Sequence, residues 1–390
     1  MVWAATASQL TSQPRARIAS GLRFELATSE DDAQLRRLLR ENAISGSISV
    51  TLEREPSFFG AAAVEGREHQ TVVALEQDRI VAAGSISARH RFINGQPMRV
   101  GYLGALRLDR SCRGRSEILR RGYDAFRKLH EQGGPRIYLT SIIADNLPAR
   151  RFLERNLSGM PTYRFVGEFV TLIIRRPARR DLFFHSNVGT PHWIREQGMD
   201  FAQGLKERRA EIAEFLNRDL QRYQFAPVWS ATDIHPETFQ VARATDGRLL
   251  ACASIWDQRA MKQIVVRGYS GQVRWARPLV NFWAAMSGTP RLPQVGAPLS
   301  YAFISHLAMS HDQPRLAEGL TNSLRNFALT HGIDFLLVGF DSRDPRLAYF
   351  RGVLRPREYV SRIYVVHWEG GAALAQSLDD RLLAPEVATL

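Results

Sequence analysis

The sequence predicts an α/β (α+β) protein of two tandem units, each a mixed, mostly antiparallel sheet flanked by helices. Two observations carry this. Short β-favouring runs alternate with longer segments whose apolar residues recur at helical spacing. The order of these segments in the first half then returns in the second, most visibly where Asn146-Leu-Pro-Ala-Arg-Arg-Phe152 is matched by Asp344-Pro-Arg-Leu-Ala-Tyr-Phe350. A chain of 390 residues is long enough to give each unit a core of its own. The expected divisions are a flexible tail at 1–20, a first domain at 21–176, an Arg- and Pro-rich linker at 177–198, a second domain at 199–370 and a tail at 371–390.

Taken in order, Leu22 to Ala27 reads as a strand, and Thr28 or Ser29 caps a helix carrying Leu35, Leu38 and Leu39. The polar and aromatic segment from Ile44 to Gly66 forms either a pocket wall or, through Phe58 and Phe59, plain core. Thr71 to Leu75 and Ile80 to Ala88 make a hairpin about Gln77 and Asp78, and Asn94-Gly95 turns the chain into the next strand, since both residues tolerate positive φ. Gly133-Gly134-Pro135 ends the following helix, and Arg136 to Ile143 returns as a strand parallel to the central one. A short helix through Ala149 and Phe152 leads to a closing strand, Tyr163 to Ile174. The second half starts with a long helix over about Asp200 to Gln224. Strands follow at Phe239 to Ala244 and Leu249 to Trp256, then a helix at Val273 to Met286. Tyr301 to Met309, a helix from Pro314, Asp334 to Phe340 and a short helix at Pro345 to Arg351 come next, and Tyr359 to Trp368 closes its sheet.

The organising stretch is Met98 to Leu119. An apolar strand runs to Leu108, a basic turn holds Arg110, Ser111, Cys112, Arg113, Gly114 and Arg115, and a helix follows through Ile118, Leu119, Phe126 and Leu129. The first amides of such a helix are unpaired and sit at the positive end of its dipole, where an anion binds. Arg110, Arg113 and Arg115 add charge, and Gly114 lets a ligand approach the backbone. The stretch reads as a pyrophosphate cradle; the other reading is an ordinary crossover with solvated arginines.

The net charge of +13 and a sequence pI near 10.4 favour an anionic partner: a phosphorylated cofactor, an acidic substrate or RNA. The arginines are spread along both halves, which weakens the nucleic-acid case. Two distant cysteines, Cys112 and Cys252, imply neither disulfide nor metal site. Apolar runs such as Phe169 to Ile174 are too short to cross a bilayer and no secretory signal is visible, so a cytoplasmic protein without a membrane partner is expected.

The strand Leu106-Arg107-Leu108, the loop Arg113-Gly114-Arg115-Ser116 and the segment Asp145-Asn146-Leu147-Pro148-Ala149 through Phe152 resemble the motifs of the GNAT superfamily of acyl-CoA N-acyltransferases. The resemblance covers Leu22 to Ile174 well and Asp200 to Trp368 more weakly, and it implies a tandem GNAT protein. It further implies that backbone groups at Leu106 and Leu108 receive a pantetheine arm, that the loop at Arg113, Gly114, Arg115 and Ser116 holds the pyrophosphate, and that Asn146 contacts cofactor or ordered water. Arg107, between Leu106 and Leu108, belongs to the same binding set. The family loop has Arg or Gln, two residues, Gly, one residue, then Gly or Ala; the positions here are Arg113, Ser116 and Ile118, so the later two depart from it.

The implied reaction is direct transfer from acetyl-CoA, without a metal, to a primary amine on a small molecule or protein. The tyrosine that often protonates the leaving thiolate is replaced by Leu153, leaving Tyr102 and Tyr138 as substitutes. The position before Leu106, where a general base often stands, is Ala105, leaving Glu53 and Glu55 or a water chain. In the second half the loop Ser-His-Asp-Gln-Pro-Arg places Asp312 where a phosphate would approach, so that half is expected to bind cofactor poorly, although His306 stands at the position of Ala105. Two other readings remain open: an aminoacyl-tRNA-dependent transferase, and a non-catalytic acyl-CoA-binding module. A homodimer is also compatible with the sequence.

Overall fold

The structure, a computed structural model, describes residues 21–66, 68–177, 199–203, 208–309 and 314–390. The tail expected at 1–20, nearly all of the expected linker, and the loop containing Asp312 lie outside the described residues.

In the first half, β1 (Arg23–Leu26) precedes α1 (Asp32–Glu41), then β2 (Ile48–Glu53), β3 (Glu68–Glu76), β4 (Arg79–Ile93) and β5 (Gln96–Leu108). Helix α2 (Ser116–Glu131), β6 (Tyr138–Ile143), α3 (Leu147–Leu153) and β7 (Thr162–Arg175) complete it. The local signals act as their chemistry requires. The Thr28 amide donates to Asp31 at 2.9 Å ahead of α1, which buries Leu35, Leu38 and Leu39. Gln77 and Asp78 turn the β3–β4 hairpin at φ 50° and 63°, and Asn94 and Gly95 turn β4 into β5 at 51° and 80°.

The second half contains β8 (Met199–Gln203), α4 (Arg209–Leu220), β9 (Phe239–Ala244), β10 (Leu249–Trp256), β11 (Gln263–Tyr269) and α5 (Gly271–Ser287). After these come β12 (Tyr301–Met309), α6 (Pro314–Thr330), β13 (Phe335–Asp341), α7 (Arg346–Leu354), β14 (Arg357–His367) and α8 (Ala372–Gln376). The long helix expected from Asp200 is corrected: Met199–Gln203 is an edge strand on β9, and the described helix spans Arg209–Leu220.

Among the described residues, all strands but two form one twelve-stranded sheet, in the order β1-β3-β4-β5-β6-β14-β7-β13-β12-β10-β9-β8. Here the expected closure of each half on itself fails. Strand β14 lies between β6 and β7 of the first half, and β7 pairs with β13 of the second. The two halves have exchanged their last strands. Tyr364, Val365 and Val366 on β14 are fully buried because the strand is covered on both faces.

The remaining strands, β2 and β11, pair antiparallel from Glu53↔Gln263 to Ile48↔Tyr269. The segment from Ile44 to Gly66 is therefore built jointly by the two halves. The C-terminal residues are likewise no tail: Leu383, Val387, Ala388 and Thr389 are buried, the first two beside Phe169, Phe225 and Ile363.

One face of the sheet packs on α2 and α6. Ile118, Tyr123, Phe126 and Leu129 are buried there from α2, and Leu316, Leu320 and Leu324 from α6. The other face carries α1 and α4, and it is this face that holds the polar side chains described next.

Candidate active site

Parallel strands β5 and β6 pair only at Gly101↔Tyr138 and Tyr102↔Leu139. Their close approach needs Gly101, where a Cβ would lie 2.0 Å from the Tyr138 ring. A last tie, from Thr140 Oγ1 to the Leu103 carbonyl at 2.7 Å, precedes the divergence. On its other side β5 bulges against β4, the register passing from Ser85↔Gly104 to Ala83↔Arg107, with Ala105 at φ 52°. The strands thus open into a wedge, at whose mouth Leu106 on β5 and Ile143 on β6 are exposed.

The loop beyond the wedge is built on Asp109, whose Oδ1 accepts from the Ser111 amide at 2.9 Å and from its hydroxyl at 2.7 Å. Gly114 follows at φ +86°, with no atom within 4 Å of where a Cβ would stand. Helix α2 then begins without a side-chain cap. Arg110, Arg113 and Ser116 are exposed beside it. The Ser116 and Ile118 amides donate to the Gly114 and Arg115 carbonyls at 3.0 and 3.2 Å, so the Gly114 and Glu117 amides, with exposed Arg110 and Arg113, are the donors that fit a pyrophosphate.

Two expectations about this loop change. Arg115 bonds Glu76 at 3.0 Å and reaches Cys112 Sγ at 3.5 Å, so its charge is committed to the β3 end rather than to an anion. Ile118 is buried with Ala74, Val81, Ala82 and Cys112, so it anchors the helix from below and does not line the loop. Leu108 packs against that same cluster. Asn146 is exposed and caps α3, its Oδ1 accepting from the Ala149 amide at 3.4 Å.

On the α1 face, directly opposed residues give two short polar rows across the strands. His69, Ser87 and Tyr102 form one, and Thr71, Ser85 and Gly104 the other. The hydroxyls of Thr71 and Ser85 are 2.9 Å apart, and Tyr102 Oη is 3.3 Å from Ser141 Oγ on β6. Burial pushes the Tyr102 phenol up, with Ser141, Arg91 and Arg107 opposing, so it keeps its proton at neutral pH.

Over this row lies Glu65, which sequence reasoning missed. It pairs with Arg54, with Lys262 Nζ at 3.0 Å, and sits 3.2 Å from His69 Nδ1, outside hydrogen-bond geometry. Burial raises its pKa, but Lys262, Arg54 and His69 together outweigh that and hold the carboxylate ionised. Burial is also the main force on His69, pulling its pKa down so that the ring is neutral, while Nε2 meets Thr71 Oγ1 at 3.2 Å. Lys262 belongs to the second half and is one of three lysines among 52 basic residues; that rarity is a signal the sequence offered. Nothing in the sequence marks Glu65. Arg107, opposite Ala83, points into the same region, where burial and the neighbouring Arg54 charge lower its pKa.

The other expected catalytic groups lie elsewhere. Tyr138 is 0% exposed, packed against Trp368, with its hydroxyl 3.0 Å from His130 Nδ1; it is core on the opposite face. Glu53 is buried against Arg267, Thr51 and, at 3.7 Å, Arg40, which makes it a neutralised partner in the β2–β11 junction. Glu55 is bound by Arg36 and Arg40.

The second half reproduces the wedge. Strands β12 and β13 pair only from Tyr301↔Phe335 to Phe303↔Leu337, and β12 bulges against β10, with His306 at φ 54°. This opening is filled by rings: His306 lies 3.8 Å from the Trp229 centroid and 5.3 Å from that of Phe239. Its Nδ1 meets Ser305 Oγ at 2.7 Å, its amide donates to Glu386 at 3.1 Å, and Nε2 is buried without a partner. Burial pulls its pKa down to about 3. Among the described residues no group of three or more His, Cys, Asp or Glu side chains is arranged to hold a metal.

No protein-family model matches the chain, and no curated protein matches it. Solved structures do. N-myristoyltransferase from Saccharomyces cerevisiae with bound myristoyl-CoA aligns over 93% of this chain and 86% of its own, at 13% identity and a TM-score of 0.56. A GCN5-related N-acetyltransferase from Sphaerobacter thermophilus aligns over 88% of this chain and 95% of its own, at 12% identity and a TM-score of 0.51. The glucosamine N-acetyltransferase region of a fungal multi-domain GH3 β-N-acetylglucosaminidase gives 12% identity and a TM-score of 0.55, over 92% of this chain and 39% of that one. Strand order, paired wedges and these likenesses agree: the chain has the fold of the GNAT superfamily, with two such halves in tandem.

Proposed function

We propose that this chain is an acyl-CoA-dependent N-acyltransferase whose donor site is the β5–β6 wedge and the loop 110–116. The observation that carries this is a bulged strand leaving its parallel neighbour directly ahead of an uncapped, glycine-opened helix start flanked by Arg110 and Arg113. The structural neighbours are acyl-CoA-dependent acyltransferases, one solved with myristoyl-CoA.

The donor supplies a thioester carbonyl, and the chain supplies the rest. The Gly114 and Glu117 amides hold negative charge at the loop, and Arg113 and Ser116 add side-chain donors. Backbone amides of the bulge at Ala105 and Leu106 supply the donors that developing oxyanion charge needs. Neutral His69 takes the proton of the attacking amine, and Glu65 stabilises the imidazolium that forms. Tyr102, kept protonated by burial, returns a proton to the departing thiolate. Arg107 and Lys262 set the potential over this face.

The donor length and the acceptor are decided by assay. Thiol release from acetyl-CoA and from myristoyl-CoA would be followed with primary amines and with peptides bearing a free N-terminus, products being identified by mass. Acceptor-dependent thiol release with an acylated product supports the reading; its absence with every donor and acceptor, despite donor binding, leaves a binding module instead.

A further inference from the structure

Helix α5 (Gly271–Ser287) presents its apolar side to solvent. Trp275 is 86% exposed, Met286 68%, Leu279 and Trp283 63% each, and Phe282 59%. These residues fall at i, i+4, i+7, i+8 and i+11, which places them on one side of the helix. The side turned to the protein carries Val273, Arg277, Asn281 and Ala284. Asn281 holds Leu292 by two hydrogen bonds, of 3.0 Å to its carbonyl and 2.7 Å from its amide, and the Arg277 guanidinium lies 5.6 Å from the Tyr269 ring. The helix is therefore fixed by polar contacts with its hydrophobic stripe outward, the reverse of a helix covering a core.

An exposed stripe of this size marks a docking surface, and charge indicates what it meets. Helix α5 has Arg274 and Arg277 and no carboxylate, and exposed Arg291 follows it; upstream, Arg259, Lys262 and Arg267 are paired with Asp257, Glu65 and Glu53, so the unpaired positive charge beside the stripe is that of Arg274 and Arg291. Trp, Phe, Leu and Met on one side, arginine beside them and no acidic group is the composition of a helix lying in the interfacial plane of an anionic bilayer. Such a helix buries only its outer side chains, so it needs no spanning length; among the described residues no helix is long and apolar enough to cross a membrane. The expectation of no membrane partner rested on the short apolar runs and the lack of a secretory signal, neither of which bears on a helix lying at the surface.

We propose that α5 docks the protein peripherally on an anionic lipid surface, with Trp275, Leu279, Phe282, Trp283 and Met286 entering the headgroup region and Arg274 meeting lipid phosphates. This does not depend on the acyltransferase reading.

The test compares the whole chain with the double variant Trp275→Ser, Phe282→Ser, both exposed positions, after checking that circular dichroism and the thermal midpoint are unchanged. Binding to vesicles of phosphatidylcholine alone and of phosphatidylcholine with phosphatidylglycerol is read by co-sedimentation and by the tryptophan emission shift. Expected are a blue shift and salt-sensitive binding to the phosphatidylglycerol vesicles, weakened about tenfold or more in the double variant and measurably by Arg274→Gln. No binding to those vesicles, or equal binding by the double variant, overturns the proposal. So does a dimer that the double variant dissociates while neither form binds vesicles, which assigns the stripe to a second copy of the chain.

Discussion

Ala105 and His306 occupy the same place in the two halves: each sits in a bulge of the strand that leaves its parallel neighbour, at φ 52° and 54°. The left-handed backbone belongs to the bulge itself and recurs whatever the side chain. In the first half the residue is small and the wedge opens; in the second an imidazole stacked on Trp229 fills it.

Because the conformation is set by the bulge and an L side chain opposes it, Ala105→Gly is expected to leave stability unchanged or raise it by up to about 1 kcal/mol. Ala105→Val, branched at Cβ, should lower it by about 2 kcal/mol. Urea unfolding of the three proteins checks both signs.

His306 links stability to pH. Its folded pKa, about 3, lies below the unfolded value, so the unfolded state binds a proton that the folded state refuses. The stability it contributes is complete above the unfolded pKa, about 6.5, and falls as pH drops towards 3, by up to a few kcal/mol. Glu386, raised mainly by burial, acts in the opposite direction nearer its own titration. Unfolding midpoints from pH 7 to pH 5 should fall more steeply for the wild type than for His306→Asn, which tolerates the left-handed backbone without titrating. Parallel slopes would show that His306 does not link stability to pH.

What could be read from the sequence was local. The hairpin turns at Gln77-Asp78 and Asn94-Gly95, the capping of α1 by Thr28 and Asp31, and the strand–loop–helix through Gly114 are each decided by residues within a few positions of one another. The exchange of β7 and β14 is not: a buried strand has the same pattern beside β6 as beside β12, and only the assembled sheet distinguishes them. Met199–Gln203 was read into a helix because five residues carry too little period to tell the two apart. At the site, the strand, the glycine-bearing loop and the helix start were legible, whereas the commitment of Arg115 to Glu76 and the meeting of Glu65 with Lys262, 197 positions later in the chain, depend on tertiary contacts.

The shared central strands couple the halves. Since β14 completes the first half and β7 borders β13, neither half buries its core alone, and unfolding should be a single transition. Tryptophan fluorescence and far-ultraviolet circular dichroism in urea should coincide, and a fragment ending at Pro177 should not fold. Two separated transitions would contradict this.

Tyr102 and Glu65 separate catalysis from stability differently. Tyr102→Phe gives up one 3.3 Å contact to Ser141, so stability should change by less than about 1 kcal/mol while turnover falls roughly 10- to 100-fold. Glu65→Gln leaves Arg54 and Lys262 buried without their counter-charge, and should cost about 3 kcal/mol or more together with activity. Unfolding curves beside initial rates for the two variants check this division.

The most direct test of the donor site is calorimetric titration of acetyl-CoA and myristoyl-CoA into the wild type and into Gly114→Asp. The substitution puts a carboxylate at a helix start that tolerates it, at φ +86° and in open space, so the strain should be no more than about 2 kcal/mol while any phosphate is repelled. Binding on the order of micromolar to at least one donor is expected, weakened tenfold or more in the variant with its fold intact. Equal binding by the variant, or no binding of either donor to the wild type, would contradict it.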